Sequence, residues 1–180
     1  DHGRIVPSKI SDAGPSKTLA SITVPSRQAS FSKAVTQFIE PYRTGNAFKK
    51  SSLREKRRKA IQDALGNSIK FDGWLAKITL LETDVRDYGV LEVVLVDSGV
   101  VLTTWNNMVS DTGHDTLIAP TTSLFTSLAD FEIGSVVKIS GTFFLNESDY
   151  LWEKSMTEKG SLTEPEFLAK FSKVTLRKQE

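Results

Sequence analysis

The stretch Leu128-Ala129-Asp130-Phe131-Glu132-Ile133-Gly134-Ser135-Val136-Val137-Lys138-Ile139-Ser140-Gly141-Thr142-Phe143 decides the fold. It leaves a helical turn, crosses a polar turn at Gly134-Ser135 and enters a strongly apolar β-run. Working outward, residues 68–176 read as strand, strand, strand, short helix, strand, strand. That order predicts a small closed barrel, mainly β, with its strands in Greek-key order. The first strand, residues 69–81, is long and carries Gly73 where one strand serving two sheets needs a bulge or a sharp coil. Residues 90–96 and 100–105 form a hairpin across Asp97-Ser98-Gly99.

After residues 106–122, a short helix over 123–130 offers Leu124, Phe125 and Leu128, with neighbouring Phe131, as a plug for the bottom of the barrel. Residues 135–145 supply the fourth strand, and residues 150–156 are read as the fifth. Residues 166–176 alternate Phe167, Ala169 or Phe171 and Val174, and are read as a further strand extending the sheet.

Ahead of the barrel lie two helical segments. Phe31, Ala34, Val35, Phe38 and Ile39 share one stripe, with Ser30 as cap and Pro41 as stop. A second helix begins at the Ser52-x-x-Glu55 capping box and stops at Gly66-Asn67. The expected organisation is therefore a flexible tether over residues 1–29, rich in Ser, Thr, Pro and Lys, then a helical hairpin over 30–66 and the barrel over 67–180. With 180 residues and 39% apolar content the chain supports one core and an appendage.

The net charge of +1 conceals a division. Residues 1–66 carry thirteen Lys and Arg against five Asp and Glu, a net +8, while residues 67–180 carry ten against seventeen, a net −7. Such asymmetry marks either an external partner for the basic part or docking of one part on the other. Seven of the positive charges, Lys49, Lys50, Arg54, Lys56, Arg57, Arg58 and Lys59, crowd eleven residues. They suit phosphates or an anionic membrane surface, and equally a face that docks on the acidic barrel. The second and third strands carry no Lys or Arg from Val90 to Trp105, which deprives a nucleic-acid groove there of its main source of affinity.

The element order, the mid-strand Gly73 and the run from Gly134 to Gly141 resemble the OB-fold, in its tRNA-anticodon-binding-like form, over about 110 residues. The stretches Gly73-Trp74-Leu75-Ala76-Lys77, Thr104-Trp105-Asn106-Asn107, Thr116-Leu117-Ile118 and Pro165-Glu166-Phe167 resemble uncharacterised bacterial envelope proteins that carry such a domain behind a membrane anchor. The resemblance implies a five-stranded barrel and a place in the cell envelope or periplasm, and it implies no activity. An Asp1 start behind a tether leads to the expectation of a removed signal peptide or a cut anchor; a trimmed cytoplasmic chain accounts for it equally well.

The candidate site residues are Trp74, Trp105 and Trp152, as stacking platforms on three strands, with Asn106, Asn107 and Asp111 in the 17-residue link that follows Trp105. Asp111, His114 and Asp115 are a weak candidate for a divalent metal, since one His flanked by Asp is more often a solvated turn. Asp111-Thr112-Gly113 matches the aspartic protease triplet but stands alone after polar residues, so it reads as an Asp-Gly turn. No Cys nucleophile or thiolate metal site exists, no cofactor is expected, and neither a nucleophile elbow nor a phosphate-cradling glycine loop is present. The expected function is non-enzymatic: a binding or assembly module contacting protein or another envelope component. The alternative is a nucleic-acid-binding protein using the basic helix over residues 49–59.

Overall fold

A computed structural model describes residues 22–177. Four helices come first: α1 (Ser26–Thr36), α2 (Ile39–Thr44), α3 (Ala47–Ser51) and α4 (Leu53–Leu65). Then follow β1 (Lys70–Thr83), β2 (Gly89–Leu95), β3 (Val101–Thr103), α5 (Met108–Asp111), α6 (Ser123–Leu128) and β4 (Val136–Phe143). The chain ends with β5 (Leu145–Asn146), β6 (Tyr150–Leu151), α7 (Glu158–Thr163) and β7 (Glu166–Leu176).

Five strands close a barrel in the order β1-β2-β3-β7-β4. All pairs are antiparallel except β3 with β7, which run parallel. This is the five-stranded Greek-key barrel read from the sequence, made mixed by its one parallel pair, and it is compatible with an OB-like fold. Gly73 works as expected: at φ +64° it sits where the β1–β4 register shifts between Phe71 and Trp74. The resulting coil lets β1 pair with β4 along its first half and with β2 along its second.

The identity of the fifth strand is a correction. Residues 150–156 do not enter the barrel; β6 pairs with β5 in a separate two-stranded ribbon, and β7 closes the barrel. Closure needs a strand long enough to reach two neighbours. β7 pairs with β4 from Val137↔Leu176 to Phe143↔Ala169 and with β3 at residues 166–168. The ribbon segment turns sharply at Tyr150, φ +71°, pairs with β5 over two residues, and then meets the barrel through a single antiparallel bridge, Glu153 to Phe167 of β7.

Two helix boundaries also differ from the expectation. α1 starts at Ser26, directly after Pro25, so Ser30 lies inside it. Pro41 falls in the first turn of α2, where a backbone N–H has no helical partner to lose. The Ser52–Glu55 box does not form, because α3 runs straight into α4. Ser52 is already helical at φ −94°, ψ −12°, and its hydroxyl donates back to the Lys49 carbonyl. Gly66, at φ +63°, ends α4 as read.

The core runs continuously through helices and barrel. Phe31 of α1 is wholly buried, its ring centroid 5.2 Å from Trp74, 5.2 Å from Phe143 and 5.3 Å from Phe167. It plugs the barrel mouth near the start of β1. At the opposite rim, α6 supplies buried Leu128, with Leu124, Phe125 and Phe131 packed against the core as the sequence predicted. Arg27 ties α1 to the end of α4 by donating to the carbonyls of Leu65 and Ser68.

Candidate binding site

Beyond β3 the chain leaves the sheet at Trp105 and returns at Thr116, and the Asp111 carboxylate holds that excursion together. It accepts from the Thr116 backbone N–H at 2.7 Å, the Thr116 hydroxyl at 2.6 Å and the Leu117 N–H at 3.1 Å. The Thr116 hydroxyl in turn accepts from the Trp105 N–H at 2.8 Å. Asn107 caps α5 by accepting from the Ser110 N–H at 2.9 Å and donates through its amide to Asn106. Gly113 at φ +84° and Asp115 at φ +52° complete the turn. Ile118 then exchanges both backbone bonds with Gly89 of β2, and Leu117 and Ile118 are buried.

Asp111 is thus a structural tie, which fits the Asp-Gly turn reading. Its oxygens face the loop's own donors, and among the described residues no group of three or more His, Cys, Asp or Glu is placed to hold a metal ion. Asp111→Ala is expected to lower stability by about 1–3 kcal/mol, because two buried N–H groups lose their acceptor. The measurement is the urea midpoint; an unchanged midpoint would remove the carboxylate from this role.

The three tryptophans separate. Trp74 is a correction as a stacking candidate: it is 1% exposed, between Phe31 and Phe71 in the core. Trp105 and Trp152 remain half-buried and meet around His114, whose ring centroid lies 6.3 Å from Trp105, 5.0 Å from Trp152 and 5.0 Å from Phe144. His114 is therefore an aromatic keystone between the β3–α6 link and the long β4–β7 connection. Trp105 Nε1 and His114 Nδ1 are buried there without a hydrogen-bond partner. The role of His114 had no local signal, because its partners Phe144 and Trp152 lie 30 and 38 residues further on.

Beside this cluster, a cleft of about 470 Å³ opens between the β3–α6 link, α6 and β7, lined among others by Tyr88, Met108, Asp115, Leu117, Lys170 and Phe171. Next in α5 to Met108, which lines the cleft, is Val109, 87% exposed. Tyr88 and Lys170 were not singled out from sequence; each is polar within a stretch that reads only as turn or strand.

The basic run spends much of its charge on the chain itself. Arg54 grips Asp149 through two bonds of 2.8 and 2.9 Å, and Arg57 meets Glu153 at 2.5 Å in a pair 2% exposed on each side. Arg58 donates to the Glu147 carbonyl and lies 3.6 Å from Glu55, while Lys59 stands 3.8 Å from Asp63. Lys50 sits over the Tyr42 ring, and Lys49 and Lys56 are exposed. Of the two readings of the +8 and −7 division, docking of the basic helix on the acidic ribbon region around residues 147–153 is the one the geometry carries.

The chain matches no family model, no curated protein and no solved structure. Among the described residues no helix is long and apolar enough to cross a membrane.

Proposed function

We propose that this chain is a non-enzymatic binding or assembly module of the OB-fold type, engaging a protein or another cell-envelope component through the end of the barrel that bears the β3–α6 link. The observation that carries the reading is a loop fixed in place yet offering apolar surface outward. Asp111 and Asn107 hold α5, whose Met108 lines the cleft and whose Val109 is presented to solvent. Ordering an exposed valine confers no stability on the free chain, so its use is expected in contact with a partner.

The nucleic-acid reading draws on the barrel architecture, but the arginines that would supply phosphate contacts face Asp149 and Glu153 instead. Binding of single-stranded oligonucleotide is expected to be weak, indifferent to sequence and strongly reduced by salt.

The test places a photo-crosslinking residue at Val109 in the full chain and, as a control, at exposed Ile133 beyond α6. A discrete adduct at position 109, absent at 133 and abolished by Met108→Asp, is the expected result. Equal or absent adducts, together with oligonucleotide binding that persists at physiological salt and is lost in Trp105→Ala, would replace this reading by the alternative.

A further inference from the structure

β7 is paired unequally on its two sides. β4 ladders it from Ala169 to Leu176, whereas β3 covers the other side only at residues 166–168. Past that point the place beside β7 belongs to residues 116–119. They continue the line of β3 after the excursion, because Ile118 pairs antiparallel with Gly89 of β2, as β3 pairs antiparallel with β2. Residues 116–119 therefore run parallel to β7, but they do not reach it. Among the described residues no backbone hydrogen bond joins them to residues 170–172. The 470 Å³ cleft lies between these two walls.

A strand directs main-chain groups alternately to both of its neighbours, so the β7 wall turns unpaired N–H and C=O groups toward the cleft. Side chains add a mixed lining. Leu117 and Phe171 are apolar, and the Asp111 carboxylate is taken up by Thr116 and Leu117. Exposed Asp115 stands on the loop wall, and Lys170 on the β7 wall is exposed and forms no ion pair among the described residues.

We propose that the cleft receives an extended peptide segment of a partner protein, which takes the vacant strand position beside β7 and sets an acidic side chain against Lys170. The proposal rests on the binding-module reading and names the form in which the partner is gripped. Main-chain pairing along β7 supplies affinity that tolerates sequence variation, while alternate side chains facing Leu117 and Phe171 supply selectivity. The volume lies within the range of about 300–1,000 Å³ typical of ligand clefts. A nucleotide fits the lining poorly, because its phosphate would find one lysine against two carboxylates, Asp111 and Asp115.

The experiment selects short randomised peptides from a display library on the immobilised full chain at physiological salt, then titrates the enriched peptides by fluorescence anisotropy. Enrichment of an acidic residue among alternating apolar ones is expected. Ala119→Trp, which fills the cleft from one wall, is expected to weaken binding about tenfold or more, as is N-methylation of alternate peptide amides, which removes pairing donors. Lys170→Glu is expected to weaken acidic peptides about tenfold and to shift selection toward basic ones. Unfolding midpoints report whether each variant folds, and Ser172→Trp on the opposite wall replaces Ala119→Trp if the latter does not. No enrichment, or enriched peptides indifferent to N-methylation and to the cleft-filling tryptophan, would overturn the proposal. A Val109 adduct obtained without any enriched peptide would reject the peptide proposal and leave the binding-module reading standing.

Discussion

Glu153→Leu is expected to cost about 3–5 kcal/mol of stability, and adding Arg57→Met is expected to return most or all of that loss. Both side chains are 2% exposed, and the single 2.5 Å contact leaves Arg57 Nε, Arg57 Nη2 and Glu153 Oε2 without hydrogen-bond partners. Two charges have been removed from water for one bond. Removing the carboxylate strands a guanidinium that cannot lose its proton, and the Phe167 ring 5.3 Å away replaces little of the lost charge. Arg57→Met alone is expected to cost less, because a buried carboxyl can take up a proton. An apolar pair of similar volume removes both penalties, and in comparable cases it is neutral or stabilising by about 1–4 kcal/mol.

The same pair sets a pH dependence. Burial raises the Glu153 carboxyl from 4.5 to about 7, against the opposing pull of Arg57; nearby Asp149 raises it further and Arg54 lowers it. A raised acid is protonated in the folded state where the unfolded chain has already released its proton. Its contribution is therefore fully present below about pH 4.5 and is lost as the pH climbs through about 7, with a size on the order of 3 kcal/mol. Other carboxylates titrate in the same window, so the measurement is a difference. Urea unfolding of the parent and of the Arg57→Met, Glu153→Leu double variant at about pH 5 and pH 8 is expected to show the parent losing ground on the double variant as pH rises. A parent that gains on it would mean that the attraction of Arg57 outweighs the burial.

What the sequence could disclose followed the range of the interaction. Gly73 was legible because a glycine inside a long apolar alternation has a local meaning, and the α6 plug was legible because Leu124, Phe125 and Leu128 lie within one helical turn and a half. The last barrel strand was visible as alternation yet was assigned outside the barrel. Residues 150–156 and 166–176 are both β-like, and only the closing register with β4 chooses between them. Arg57 and Glu153 stand 96 residues apart, so a buried ion pair was hidden inside what read as a solvated basic face. The link after Trp105 was recognised as important from its length and polar content. That content turned out to knit the loop internally, while the cleft beside it depends on where β3 leaves β7, a property of the closed barrel that no local window contains.

Gln28→Leu is expected to destabilise the chain by about 2–4 kcal/mol, although leucine matches the volume and suits a wholly buried site. From α1 the Gln28 amide reads β1 as a neighbouring strand would. Oε1 accepts from the Leu75 N–H at 2.7 Å, and Nε2 donates to the Leu75 carbonyl and to Asp97 Oδ1, both at 2.9 Å. The Leu75 carbonyl keeps a second donor, the Val96 N–H at 3.2 Å, so the substitution chiefly orphans the Leu75 N–H just past the Gly73 bulge. Gln28→Glu is expected to be worse than leucine at about pH 8 and to recover as the pH falls. A carboxylate there would face the Leu75 carbonyl and Asp97, two acceptors, and only its protonated form can donate to one of them. Unfolding midpoints in the order Gln, Leu, Glu at the higher pH, with the Glu variant gaining on the Leu variant toward pH 5, would establish the amide as the tie between α1 and the barrel. A leucine variant as stable as the parent would assign that tie to the burial of Phe31 alone.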